Sequence, residues 1–184
     1  MSAVATHLIT AEEFARMPER ADGAHDELVC GEIVLVEPIN KALHGWVCSN
    51  VSRAIANFGN HYKLGWTVLR CGVILGRNPD TVRAPDIQFY SSERLSKIPE
   101  GWFKIAPDLA VEVLSPDDRR RSMREKVADY IASGVRLVWL VDPETETVMV
   151  YSGSLRGIEY GKSDTLDAGG VIPGFSCPVA EFFS

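Results

Sequence analysis

Between Pro107 and Asp142 the pattern of apolar and polar positions changes period twice. Leu109 to Leu114 is a short apolar run broken by one charge, Glu112, and closed by Ser115 and Pro116. A helical pattern follows, in which Met123, Val127, Tyr130 and Ile131 form the apolar stripe and Gly134 the stop signal, and a second apolar run occupies Leu137 to Val141. Short runs bounded by turn formers read as buried strands, and recurrence every three to four residues reads as an amphipathic helix. Strand, turn, helix and strand predict a βαβ-like unit, which requires a sheet with a helix on its face. Glu112 is out of pattern, because a carboxylate inside a buried strand is costly unless it is paired, hydrogen-bonded or bound to a metal.

The same reading extends to the rest of the chain. Thr10 followed by Glu13 is a capping-box pattern and predicts a short helix ending before Pro18. ELVCGEIVLVEP predicts two strands meeting near Cys30-Gly31, the second covered on both faces over at least part of its length. Leu43, Val47, Val51, Ala54, Ile55 and Phe58 recur at helical spacing and predict the longest amphipathic helix, from Lys41 to Asn60. GWTVLRCGVIL and VRAPDIQFY read as strands separated by a turn at Arg77 to Asp80, and Ser91 to Ala106 reads as a loop with room for a short helix. ETVMVYSG predicts a hairpin partner for the strand before Asp142, and the segments from Gly157 on predict edge strands and a final packed turn. The order is β-rich with two principal helices, hence an α+β fold.

Composition narrows the class. A chain of 184 residues supports one substantial core, so residues 1–184 are expected to form a single domain. No window approaches the run of about 18 apolar residues that spans a bilayer, and the N-terminus lacks a signal-like core, so a cytoplasmic location is expected. Cys30, Cys48, Cys71 and Cys177 form no CxxC pair, which argues against a zinc site and against disulfides. A net charge of −6 counts against a large nucleic-acid footprint, although five of the eight residues from Arg119 to Lys126 are basic. Taken alone, that run reads first as a solvated helix face.

Two strands carry a carboxylate where the pattern predicts burial: Asp86 in APDIQF and Glu112 in LAVEVL. Neither has an evident basic partner in sequence. Carboxylates converging at adjacent strand ends form a site for Mg2+ or Mn2+, which prefer oxygen to sulfur. Lys126, at the edge of its helix's apolar stripe, reaches toward the sheet and would supply positive charge, and Glu27 is a candidate extra ligand or water-orienting group. Each residue alone also has a plain structural reading: Asp86 as a Pro-Asp turn, Glu112 in a salt bridge to an arginine, Lys126 as a snorkelling lysine, Glu27 as an exposed hairpin residue. His44 reads as a capping or packing residue rather than a general base.

Taken in order, DELVCGEI, His44, APDIQF, PDLAVEVLSP, REKVADYIASGV and WLVDP resemble the Uma-two restriction endonuclease family of the PD-(D/E)xK nuclease superfamily, over about Thr10 to Phe183. The resemblance implies a restriction-endonuclease-like mixed central β-sheet flanked by helices, with one divalent-metal site. It implies Asp86 and Glu112 as metal ligands, Lys126 as the catalytic lysine taken from the following helix, and Glu27 as the early glutamate. The chain departs from the superfamily motif in carrying Leu114 where the motif lysine stands, and from relatives in RLVW at Arg136 to Trp139. The expected activity is Mg2+-dependent DNA endonuclease cleavage by a homodimer, the dimer following from the small basic surface of one copy. A catalytically inactive nuclease-fold module that binds nucleic acid or assembles with partners is the alternative.

Overall fold

The computed structural model describes residues 7–18, 20–21, 25–36, 41–115 and 120–184. Helix α1 (Ala11–Phe14) starts at Thr10, whose side chain accepts the Glu13 N–H while the Glu13 side chain accepts the Thr10 N–H. The expected capping box is therefore formed. Strands β1 (His25–Val29) and β2 (Glu32–Val36) make an antiparallel hairpin. Its two turn residues, Cys30 and Gly31, have φ of 51° and 79°, the left-handed pair that matches the twist of a two-residue hairpin. The expectation that β2 is covered on both faces is corrected: Ile33, Val34 and Leu35 are each more than two-fifths exposed, because β2 is an outer strand. Helix α2 (Ala42–His61) lies within a residue of the range its apolar spacing predicts.

The two long strand-like runs that follow are each broken in the middle. GWTVLRCGVIL divides into β3 (Gly65–Leu69) and β4 (Val73–Gly76), with Arg70 between them at a φ of 47°. VRAPDIQFY divides into β5 (Thr81–Arg83) and β6 (Ile87–Ser91), with Ala84, Pro85 and Asp86 between them. The remaining elements are β7 (Leu109–Val113), α3 (Arg120–Ala132), β8 (Leu137–Asp142), β9 (Thr147–Tyr151), β10 (Ile158–Tyr160), β11 (Thr165–Asp167), β12 (Ser176–Pro178) and a closing 3-10 turn (Val179–Phe182). Strands β2-β1-β5-β4 form one sheet, β10-β9-β8-β7-β6-β3 a second, and β11-β12 a small third. Each broken run thus crosses between the first two sheets, and the breaks at Arg70 and at Pro85-Asp86 are the crossing points. The stretch from Ser91 to Ala106 holds no helix, and Phe103 instead makes a bridge to Val73.

In the larger sheet β7 and β8 are parallel, and the other neighbours are antiparallel. A parallel pair needs a crossover, and α3 supplies it. Alternation along the strands sorts their side chains onto two faces. Leu109, Val111 and Val113 of β7 and Leu137, Trp139 and Val141 of β8 pack with Val47, Val51 and Ile55 of α2 and with Leu166, Phe175 and Phe182 from the C-terminal segment. Ala110, Val138 and Leu140 face the other way, onto Met123, Val127 and Tyr130 of α3. The fold is the mixed sheet flanked by helices that the sequence resemblance implies. Among the described residues, no helix is long and apolar enough to cross a membrane. The four cysteines are free thiols.

Candidate active site

Glu112 shares the α3 face of β7 with Ala110, so the helix that completes the crossover also presents side chains to it. Lys126 and Tyr130 lie one helical turn apart and reach the same carboxylate oxygen. Lys126 Nζ is 3.4 Å from Glu112 Oε1, and the Tyr130 hydroxyl donates to that oxygen as well. Lys126 Nζ is also 3.3 Å from Glu27 Oε1. Glu27 is not an exposed hairpin residue: it is 1% exposed, with Arg83 Nη1 donating to Oε2 at 2.7 Å and the Ala84 N–H to Oε1 at 3.3 Å. Arg83 continues to α3, its Nε donating to Asp129 Oδ2 at 3.0 Å. One chain of ionic contacts therefore ties β1, β5, β7 and α3 together.

Asp86 stands beside it. It sits in the bend just before β6, whose first residue, Ile87, pairs with Val111 next to Glu112. Its Oδ2 accepts the Val113 N–H at 3.0 Å, which holds the carboxylate across the end of β7. Arg70 Nε donates to Oδ1 at 3.2 Å, and His44 Nε2 is 3.2 Å from Oδ2. The expectation that the two acids lack basic partners is corrected: Asp86 has Arg70 and His44, and Glu112 has Lys126. Structure thus gathers Glu27, Glu112 and Lys126 directly and sets Asp86 on the adjoining strand end. Of the basic run at the start of α3, Arg119 lies outside the described residues, Arg124 is exposed, and Lys126 turns inward.

The charges are unevenly balanced. Burial would raise Glu27, but Lys126 and Arg83 hold it below the ordinary carboxylate value. Burial would likewise raise Asp86, and the hydrogen bond and charge of His44, with the Val113 N–H and Arg70, hold it down. Glu112 goes the other way: burial pushes it up to about 7, and the negative charges of Asp86 and Glu27 add to that push against the opposing pull of Lys126. Burial would lower Lys126, yet Glu112 and Glu27 hold it above its ordinary value, so it remains an ammonium. A buried carboxylate with the charges of Asp86 and Glu27 near it is a place where a further cation could be held. Its hard oxygen donors suit Mg2+ or Mn2+.

Sequence reading missed His44, Arg70, Arg83, Tyr130 and Asp129 as members of this site. His44 neither caps α2 nor merely packs. It is buried, and Cys48, four residues on and so on the same helix face, sets its Sγ 3.6 Å from Nδ1 and 3.8 Å from Nε2. A histidine and a cysteine at this spacing on a buried helix face was the available signal. A cleft of about 450 Å³ lies alongside, lined among others by Arg20, His25, Glu27, Arg70, Arg83 and Trp102, so it shares three side chains with the network.

The sequence model of the Uma2 family, described as "Putative restriction endonuclease", matches residues 11–180. Among solved structures, the chain is similar to "a putative nuclease belonging to DUF820" from Anabaena variabilis ATCC 29413, with 23% identity, a TM-score of 0.81, and coverage of 95% of this chain and 97% of that one. Among curated proteins nothing matches. At that identity the likeness concerns the fold.

Proposed function

Since this chain belongs to the Uma2 family, whose sequence model is described as "Putative restriction endonuclease", we propose that it is a divalent-metal-dependent nuclease hydrolysing phosphodiester bonds in DNA. The observation that carries the reading is that the Asp86 carboxylate accepts the N–H of Val113, the residue after Glu112, at 3.0 Å, with the Lys126 ammonium 3.4 Å from Glu112. Asp86 and Glu112 would hold Mg2+ or Mn2+, which when bound supplies an activated water and neutralises charge on the phosphoryl group. Lys126 adds fixed positive charge in a site from which water is largely excluded. Glu27 orients Lys126 through their 3.3 Å contact and is itself fixed by Arg83. Arg70 and Arg83 line the adjoining cleft and suit a phosphate backbone.

Asp86→Asn tests the ligand assignment. Loss of an outer-shell partner of a metal ligand costs about 10- to 100-fold in affinity, so loss of a direct ligand should weaken Mn2+ binding by at least about tenfold, read by titration calorimetry. Equal affinity in variant and native protein would remove Asp86 from the site. One observation favours the second reading, a nuclease-fold module without cleavage: Asp86 already accepts from Val113 and Arg70 and faces His44, which a purely structural network would also require. Such a network predicts no Mn2+ binding by the native protein.

The reading includes a homodimer. β2 is an outer strand whose Ile33, Val34 and Leu35 are exposed, and a second copy would double the basic surface. Light scattering should give twice the chain mass at micromolar concentration; a monomer there would count against it.

A further inference from the structure

The nuclease reading uses Asp86 and leaves His44 and Cys48 unexplained. Ligand atoms of these three residues all lie within 4.8 Å of one another. Two of the three come from one face of α2, at positions i and i+4, and the third from the crossing point before β6. We propose that His44, Cys48 and Asp86 form a second metal site, selective for a borderline-soft divalent ion of the zinc class, beside the hard-oxygen pair.

The spacing supports it. Zinc bonds of about 2.0 Å to nitrogen or oxygen and about 2.3 Å to sulfur put tetrahedral corners about 3.3 Å apart for N and O and about 3.5 Å apart for N and S. His44 Nε2 is 3.2 Å from Asp86 Oδ2, the separation of two such corners, while Cys48 Sγ, 3.6 Å from Nδ1 and 3.8 Å from Nε2, lies beside the ring and reaches an ion on Nε2 by rotation of the Cys48 side chain. The outer contacts suit it too. Arg70 holds Oδ1 of Asp86 and the Val113 N–H holds Oδ2 on the His44 side, where its second lone pair is the one that would meet an ion, and ligating carboxylates are ordinarily fixed by hydrogen bonds of this kind. Three protein ligands leave a fourth position for water or substrate.

Ligand softness sets the selectivity. Sulfur and imidazole suit zinc and its neighbours, whereas Mg2+ and Mn2+ favour an all-oxygen set. Binding ionises the Cys48 thiol, and its proton passes to solvent. Both ions would draw on the Asp86 carboxylate, so a zinc-class ion competes with the hard ion for that one residue. The absence of CxxC spacing, which argued against zinc, bears only on sites built from cysteine pairs.

Cobalt(II), a coloured stand-in for zinc, tests the site in the full chain by absorption spectroscopy. Native protein should bind one equivalent with a thiolate-to-cobalt charge-transfer band, displaced by Zn2+. Cys48→Ser should lose the band and weaken Zn2+ binding by at least about tenfold, while Cys71→Ser keeps both. Glu112→Gln should also keep the band. The proposal is overturned if native protein shows no saturable thiolate–cobalt band, if the band survives in Cys48→Ser, or if it is lost in Glu112→Gln, which would assign the ion to the carboxylate pair. Because the readout is metal binding through sulfur, its failure leaves the Mn2+ and cleavage tests of the nuclease reading unaffected.

Discussion

Lys126→Ala is expected to lower DNA cleavage in Mg2+ by about 10²- to 10⁴-fold, the range for a positioned acid–base or electrostatic group. Metal affinity should not fall with it, because a divalent ion placed beside Glu112 takes over the charge compensation that the lysine supplied. The superfamily motif would put this ammonium at position 114, where the chain has leucine. Leu114 is two residues beyond Glu112 and packs with the α3-facing cluster, so it projects to the face that Lys126 occupies from the helix side. Lys126→Ala combined with Leu114→Lys should therefore recover part of the lost rate. Replacing a half-buried leucine costs about 2 kcal/mol or more, so rates are compared on protein shown by circular dichroism to be folded. A Lys126→Ala protein that cleaves as fast as the native one would end the migrated-lysine reading. Absence of cleavage by both, on single- and double-stranded DNA, would favour the non-catalytic module.

The parts of this fold that the chain's own pattern discloses are those governed by local period. β7, α3 and β8 follow from apolar runs and helical spacing because each buries one defined face. The break in GWTVLRCGVIL was not legible, since apolar character resumes at Cys71, and the Pro85-Asp86 turn signal in VRAPDIQFY does not say that the pairing there changes from one sheet to the other. Which sheet a strand joins is decided by partners distant in sequence. The same holds for the site. Asp86 and Glu112 stand out as charges in apolar surroundings, and Lys126, 14 residues from Glu112, is found by helical spacing, yet other members lie far along the chain from their partners: His44 is 42 residues from Asp86, and Arg83 is 56 from Glu27. Tyr130 reads as core because its ring is core; only its hydroxyl, aimed at Glu112, belongs to the site.

Arg83→Met should destabilise the protein by about 3–5 kcal/mol at pH 7, the cost of stripping one partner from a buried ion pair. Arg83 and Glu27 are 6% and 1% exposed, and the substitution removes at once the bonds to Glu27 and to Asp129, leaving Lys126 as the cation in contact with Glu27 among the described residues. The effect also has a pH signature. In the native protein Lys126 and Arg83 hold Glu27 below its ordinary value against burial, so its ionised form contributes stability above the unfolded value that is lost as pH falls through the lowered folded one. Without Arg83 burial meets less opposition, the folded value rises, and protonation relieves the uncompensated charge at a higher pH. The stability gap between variant and native protein, read from urea denaturation, should therefore narrow as pH is lowered from 7 to about 5. Adding Glu27→Gln to Arg83→Met should restore part of the loss at pH 7, since the buried group then carries no charge, and the non-additivity of the pair measures their coupling. A gap that stays constant with pH, together with simple additivity of the two substitutions, would show that Arg83 stabilises the fold through packing and its Asp129 contact rather than by compensating Glu27.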